Sequence, residues 1–225
     1  MTDRLRIALA QLNPKVGDLS GNLKLATDAL QQAVAAKADI LMLSELFLTG
    51  YFPEDLFFKP RFLEDAMHTA GELVRATKGT GVSLLLPTIW REGHALYNAV
   101  LLAEDGKVVA RRLKRELPND DVFYEKRYFT PGPLPEPMTI KDVTIGVPIC
   151  EDIWHRPVCE YLVGQGGRAA TLPERLALLD EQAAHPQGPR PLADAGRRRA
   201  AVIPQPGRRP GRAGVRWRLV CNGAG

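Results

Sequence analysis

The chain has 225 residues, 45% apolar and 25% charged, which suffices for one sizeable core and excludes collagen-like, coiled-coil and wholly disordered readings. Its net charge of +4 is unevenly spread: residues 1–166 carry 19 Lys and Arg against 22 Asp and Glu, whereas residues 167–225 carry 11 against 4. No apolar run reaches 18 residues, and Met1-Thr-Asp-Arg leads straight into a strand-like stretch, so a soluble cytoplasmic protein without membrane contact is expected.

In chain order, residues 6–12 form a short apolar run suited to a buried strand. After Gly17, Asp18 and Ser20, apolar positions at Leu23, Ala26, Leu30, Ala33 and Val34 predict a helix of about four turns. Ile40 to Leu43 reads as a second buried strand, Pro60 to Thr77 as a helix and Val82 to Ile89 as a strand. Ala95 to Leu102 and Lys107 to Leu113, joined by Glu104-Asp-Gly106, predict a hairpin. Val143 to Ile149 is a strand running into Cys150, and Trp154 to Val163 a helix. Alternating strands and helices with an antiparallel hairpin predict a layered α/β domain with a mixed sheet.

Three residues at strand ends are candidates for chemistry. Glu45 precedes the apolar stretch Leu46 to Tyr51, a setting that tends to raise a carboxylate pKa and makes a usable general base; the alternative is a solvated or capping loop carboxylate. Lys114 could neutralise an oxyanion or favour a thiolate, or simply sit solvated at a strand end. Cys150, between a strand and a helix in Ile145-Gly-Val-Pro-Ile-Cys-Glu-Asp-Ile-Trp154, is either a nucleophile presented on a turn or an inert buried cysteine. Cys159 falls among Val158, Tyr161 and Leu162 and reads as core. The three cysteines, with Cys221, match neither a disulfide framework nor a metal motif, so no metal is expected.

Glu45, Lys114 and Cys150, in that order, resemble the Glu-Lys-Cys triad of the nitrilase, or carbon-nitrogen hydrolase, superfamily. Ile7 to Pro14, Ser44 to Tyr51, Pro53-Glu-Asp-Leu56, Leu117-Pro-Asn119, Val122 to Phe129 and above all Gly146-Val-Pro-Ile-Cys-Glu-Asp-Ile-Trp154 resemble more narrowly the glutaminase domains of glutamine-dependent NAD synthetases. The resemblance covers residues 4–166. It implies an α/β four-layer αββα sandwich of the nitrilase type in which Cys150 attacks the glutamine carboxamide, Glu45 moves the proton and Lys114 holds the oxyanion. It further implies supporting roles for Glu125 and Tyr51, and a homo-oligomeric assembly. Glutamine hydrolysis needs no cofactor on this reading; ATP and Mg2+ belong to a synthetase domain in the same chain, for which these 225 residues contain no Gly-rich phosphate loop. Two departures lie beside the triad: Asp120 and Glu116 stand where the family commonly has tyrosine and histidine.

Residues 167–225 have another character. All 11 cations there are Arg, 15 of the 59 residues are Gly or Pro, and the sole aromatic is Trp217. The expected Pro-Asn-x-Ser-Pro loop is missing. A nucleic-acid arm or a flexible linker would share this composition. A reading-frame argument points elsewhere. Dropping one base in the codon of Gly167 lets each shifted codon keep two bases fixed by the residues written, with only the wobble base free. Residues 167–182 then accommodate AELLLCPNGSPYWTNK, and residues 205–220 NQVGGQDELVFDGASF, both in the family's pattern. Residues 1–166 are therefore read as an incomplete glutaminase domain and 167–225 as an out-of-frame tail without a stable core. No nucleic-acid partner follows from its arginines. The competing functional readings are a free-standing amidase for another small amide and an inactive truncated product.

Overall fold

The computed structural model describes residues 5–120, 123–169 and 201–202. Apart from residues 167–169 and 201–202, the tail and everything expected of it lie outside the described residues.

Strands β1 (Ile7–Leu9) and β2 (Ile40–Met42) are buried at every position, as uninterrupted apolar strands in a parallel sheet must be. β1 pairs in parallel with β2, and β2 with β3 (Ser83–Glu92). β3 then turns back through β4 (Ala95–Glu104) and β5 (Lys107–Leu113) as an antiparallel meander. The first turn, at Gly93, is a hairpin that periodicity did not indicate, and β3 runs three residues beyond its expected end. β9 (Ala201–Val202) lies beside β1 in parallel and gives the order β5-β4-β3-β2-β1-β9.

The second sheet is β6 (Met138–Ile140), β7 (Val143–Gly146) and β8 (Arg168–Ala169). β6 and β7 meet at Lys141 and Asp142, both with positive φ (46° and 66°), the geometry of a two-residue hairpin turn.

Two helices flank the first sheet. α1 (Leu19–Ala35) starts where the Asp18 carboxylate accepts the Gly21 N–H at 2.9 Å, satisfying one orphan donor of the first turn. α2 (Pro60–Ala76) begins with proline, whose missing N–H costs nothing there. Ala26, Ala29, Leu30 and Ala33 of α1 and Ala70, Leu73 and Val74 of α2 pack against Ala8, Leu41, Leu84 and Leu86 of the sheet. The other face of the sheet, Ile7, Leu9, Ile40, Met42, Leu85, Val100 and Leu102, packs on Met138, Ile140 and Ile145 of the second sheet and on Val147 just after it. The helix expected from Trp154 begins later, as α3 (Arg156–Gly164). Residues 150–154 form a separate 3-10 turn. Leu162 of α3 sits on Gly146, where an added Cβ would lie 3.2 Å from Leu162 Cβ.

The segment after β2 is stitched to the start of α1. Buried Asn22 donates to the carbonyls of Lys15 (2.7 Å) and Leu48 (2.9 Å) and accepts the Lys15 N–H at 2.8 Å. Gly50, at φ +73°, lies so close that a Cβ would meet Val16 N and Cα at 2.7 Å. Gly79, at φ +70°, faces open space. Both positions disfavour alanine through the left-handed backbone, by about 1–2 kcal/mol, but only Gly50 adds a collision with main chain, by about 1–3 kcal/mol more. Urea unfolding is expected to show Gly50→Ala losing about 2–5 kcal/mol and Gly79→Ala only about 1–2 kcal/mol.

Candidate active site

Glu45, Lys114 and Cys150 each follow shortly after the end of a strand. Glu45 follows β2, and Leu46 beside it turns the chain at φ 46° while fully buried. Lys114 is the first residue after β5, held by its N–H to the Asn98 carbonyl at 2.8 Å, while its own carbonyl accepts the Gly132 N–H at 2.8 Å. Cys150 opens the 3-10 turn after β7 with φ 47°. That is a left-handed conformation which costs a non-glycine residue free energy and persists where surrounding contacts enforce it.

These elements bring four of the five predicted residues into one hydrogen-bonded cluster. Lys114 Nζ donates to Glu45 Oε1 and to Glu125 Oε1, both at 2.8 Å. The Tyr51 hydroxyl donates to Glu125 Oε1 at 2.9 Å. Lys114 and Glu125 are fully buried and Glu45 is 8% exposed. Cys150, half-buried, borders the cluster: its charge acts on both Lys114 and Tyr51.

Burial by itself would lower the Lys114 pKa, but the charges of Glu45, Cys150 and Glu125 outweigh it and hold the ammonium well above the ordinary lysine value. Glu125 moves the opposite way from a surface carboxylate. Burial and the Glu45 charge push it up to about 7 against the pull of Lys114. Burial also raises Tyr51, which stays a neutral hydroxyl. Cys159 lies behind the turn on α3, its thiol pKa raised by burial; it is half-buried and stands outside the apolar core expected for it.

Two members of the site were not singled out from sequence. Asn98 of β4 is fully buried and donates through Nδ2 to Glu45 Oε1 at 2.7 Å and to Glu125 Oε2 at 3.5 Å. A lone amide inside the apolar strand Ala95 to Ala103 was the available signal. Asp152, fully buried, accepts backbone N–H groups from Ile149, Arg115 and Glu116. Glu116 itself faces outward, 3.9 Å from His155 Nδ1, and His155 Nε2 lies 3.3 Å from Glu151.

The arrangement suits attack on a poor electrophile. A buried ammonium beside a thiol favours the thiolate and stabilises an oxyanion, and an adjacent carboxylate can carry the proton. Lys114 has three N–H donors, two of them engaged by carboxylates. Both donors that reach Glu45 fall on Oε1, and Oε2 accepts from neither. Among the described residues no group of His, Cys, Asp or Glu side chains is placed to hold a metal ion, and no helix is long and apolar enough to cross a membrane.

Comparison with known proteins identifies the family. The carbon-nitrogen hydrolase family profile matches residues 6–192. The glutamine-dependent NAD(+) synthetase of Rhodobacter capsulatus is 45% identical over 174 residues, covering 77% of this chain and 31% of that protein. The Thermotoga maritima synthetase is 41% identical over 165 residues, covering 72% and 28%. Among solved structures, the glutamine-dependent NAD+ synthetase of Acinetobacter baumannii superposes with a TM-score of 0.70 at 29% identity over 75% of this chain and 32% of that one. An amidase from Nesterenkonia sp. shares the fold, with a TM-score of 0.67 at 24% identity over 78% and 68%. The chain thus spans about a third of the length of the synthetases it matches, in their N-terminal part. The family match spans most of the chain, and the chain belongs to the carbon-nitrogen hydrolase family.

Proposed function

We propose that this chain is the glutaminase part of an NAD+ synthetase and that Cys150, Lys114 and Glu45 hydrolyse the side-chain amide of glutamine. The observation that carries the reading is the buried Glu45–Lys114–Glu125 cluster beside Cys150, found in a chain 41–45% identical to two synthetases. Cys150 Sγ adds to the carboxamide carbon as its proton passes to Glu45, and the amide oxygen becomes an oxyanion facing the remaining Lys114 donor. Collapse breaks the C–N bond. Ammonia leaves with the proton from Glu45, and a glutamyl thioester remains. Glu45 then takes a proton from water as the water adds to the thioester carbon, and the second collapse returns that proton to Cys150 with release of glutamate. Glu125, Tyr51 and Asn98 hold Lys114 and Glu45 in register.

On this reading the full domain is a four-layer αββα sandwich, and the ammonia is consumed in ATP-dependent amidation of nicotinic acid adenine dinucleotide. ATP and Mg2+ serve a synthetase domain in the complete polypeptide, which assembles as a homo-oligomer in the cytoplasm. The expected result with purified chain is ammonia release from glutamine and a covalent adduct of 6-diazo-5-oxo-L-norleucine on Cys150. Cys150→Ala is expected to abolish the adduct and reduce turnover by at least about 10³-fold. Hydrolysis of acetamide or butyramide with none of glutamine assigns the triad to another amide. No adduct and no turnover of any amide, from a chain that melts cooperatively, overturns the reading.

The pKa of Glu125 supplies a second measurement. In the fold it lies at about 7, against an ordinary 4.5, so between those values the folded chain holds a proton that the unfolded chain has released. Its contribution to stability is complete below about pH 4.5 and is lost as pH rises through about 7. Asp152, raised to about 6, has the same sign. Thermal melts from pH 5 to 7.5 are expected to show stability falling for the parent chain and a shallower fall for Glu125→Gln, the remainder tracing to Asp152.

We infer further that residues 167–225 are read out of frame. Sequencing the encoding DNA across codons 164–168 is expected to show one base more than the frame-restored gene, whose product would continue as AELLLCPNGSPYW. A message whose synonymous codons cannot supply that continuation overturns the inference.

A further inference from the structure

Asp152 lies two residues past the nucleophile, and its fully buried carboxylate meets only backbone donors from two separate parts of the chain. Oδ1 accepts the N–H of Glu116 at 2.7 Å and of Arg115 at 3.1 Å. Oδ2 accepts the N–H of Ile149 at 3.1 Å. The first pair follows Lys114 directly, and Ile149 directly precedes Cys150. One side chain therefore bridges the backbone that carries Lys114 and the backbone that carries Cys150.

On its strand side Lys114 is fixed by backbone bonds to Asn98 and Gly132. The turn is closed on itself by backbone bonds, among them Asp152 N–H to the Ile149 carbonyl at 3.0 Å and His155 N–H to the Asp152 carbonyl at 3.3 Å. Those closures hold Cys150 near its φ of 47° and run within the turn, whereas the Asp152 carboxylate runs from the turn to the backbone beside Lys114.

We propose that Asp152 is a positioning residue that clamps the Cys150 turn against the strand end carrying Lys114, setting the separation of thiol and ammonium. The chemistry explains why a carboxylate stands there. An ionised carboxylate only accepts, and three N–H groups point at it, whereas an asparagine amide would set its own N–H against at least one of them. The proposal rests on Cys150 and Lys114 acting together but not on glutamine as substrate.

Alkylation of Cys150 by iodoacetamide, followed peptide by peptide and as a function of pH, tests it without any substrate. Three variants of the full chain are compared with the parent: Asp152→Asn, Glu116→Pro and Glu116→Ala. Glu116→Pro deletes the donor at 2.7 Å without touching the buried acid, and Glu116→Ala removes the same side chain but keeps the N–H. Asp152→Asn and Glu116→Pro are expected to move the Cys150 profile about one pH unit upward, about tenfold slower at pH 7. Glu116→Ala should leave it in place, and Cys159 should react as in the parent in all three. Either of the first two melting cooperatively with the parent's Cys150 profile overturns the proposal. Loss of cooperative melting in both also overturns it, because the bridge would then serve the fold as a whole. Loss of the Cys150 shift with glutamine turnover intact refutes the clamp alone, whereas a shifted profile in a chain inert to glutamine refutes only the substrate.

Discussion

A lysine ammonium enclosed by two carboxylates, away from water, is the constraint around which the rest of this molecule is arranged. Removing such charges from solvent costs several kcal/mol per ion, and their attraction offsets this only with near-ideal geometry and every remaining donor and acceptor satisfied. The fold meets the first condition and most of the second. Glu45, Lys114 and Glu125 come from three segments separated by 69 and 11 residues and meet at 2.8 Å, and Asn98 and Tyr51 add further hydrogen bonds, while the buried Asn98 Oδ1 has no partner among the described residues. With one ammonium and two carboxylates, the cluster carries surplus negative charge when both acids are ionised. Burial first, and that surplus through the Glu45 charge second, are the physical reasons Glu125 holds its proton to about pH 7.

The scaffold explains how three distant segments converge. Strands β1, β2 and β3 run in parallel and so point the same way, and the meander from β3 to β5 brings Asn98 and Lys114 back beside the end of β2. The second sheet delivers Cys150 from the opposite side of the apolar interface. Neither sheet alone would bring Glu45, Lys114 and Cys150 together. Stitching by Asn22 and Gly50 fixes the segment that follows Glu45 against the start of α1.

Much of this was legible in the sequence. Glu45, Lys114 and Cys150 were marked as candidates by their place after apolar strands and joined into a triad only by the family resemblance, and the helices were marked by their spacing. What stayed hidden depends on contacts between remote segments. Asn98 sits in a strand buried on both faces, where alternation carries no signal, and its importance rests on two carboxylates 53 and 27 residues away. Asp152 reads as one more acid in a polar turn until the backbone near residue 115 folds over it. β6, at three residues, is too short to show a period. Pro157 lies in the stretch expected to continue one helix from Trp154, and the chain breaks there into a 3-10 turn and a later helix.

The left-handed backbone of Cys150 has a consequence for how this position can change. Glycine and asparagine fit φ 47° with least strain, and neither carries a sulfur atom. On the proposed mechanism, the residues that would make the turn most comfortable are thus among those that would abolish its chemistry. Stability and activity then pull in opposite directions at this one residue, and a substitution that relaxes the backbone removes the sulfur the reaction uses.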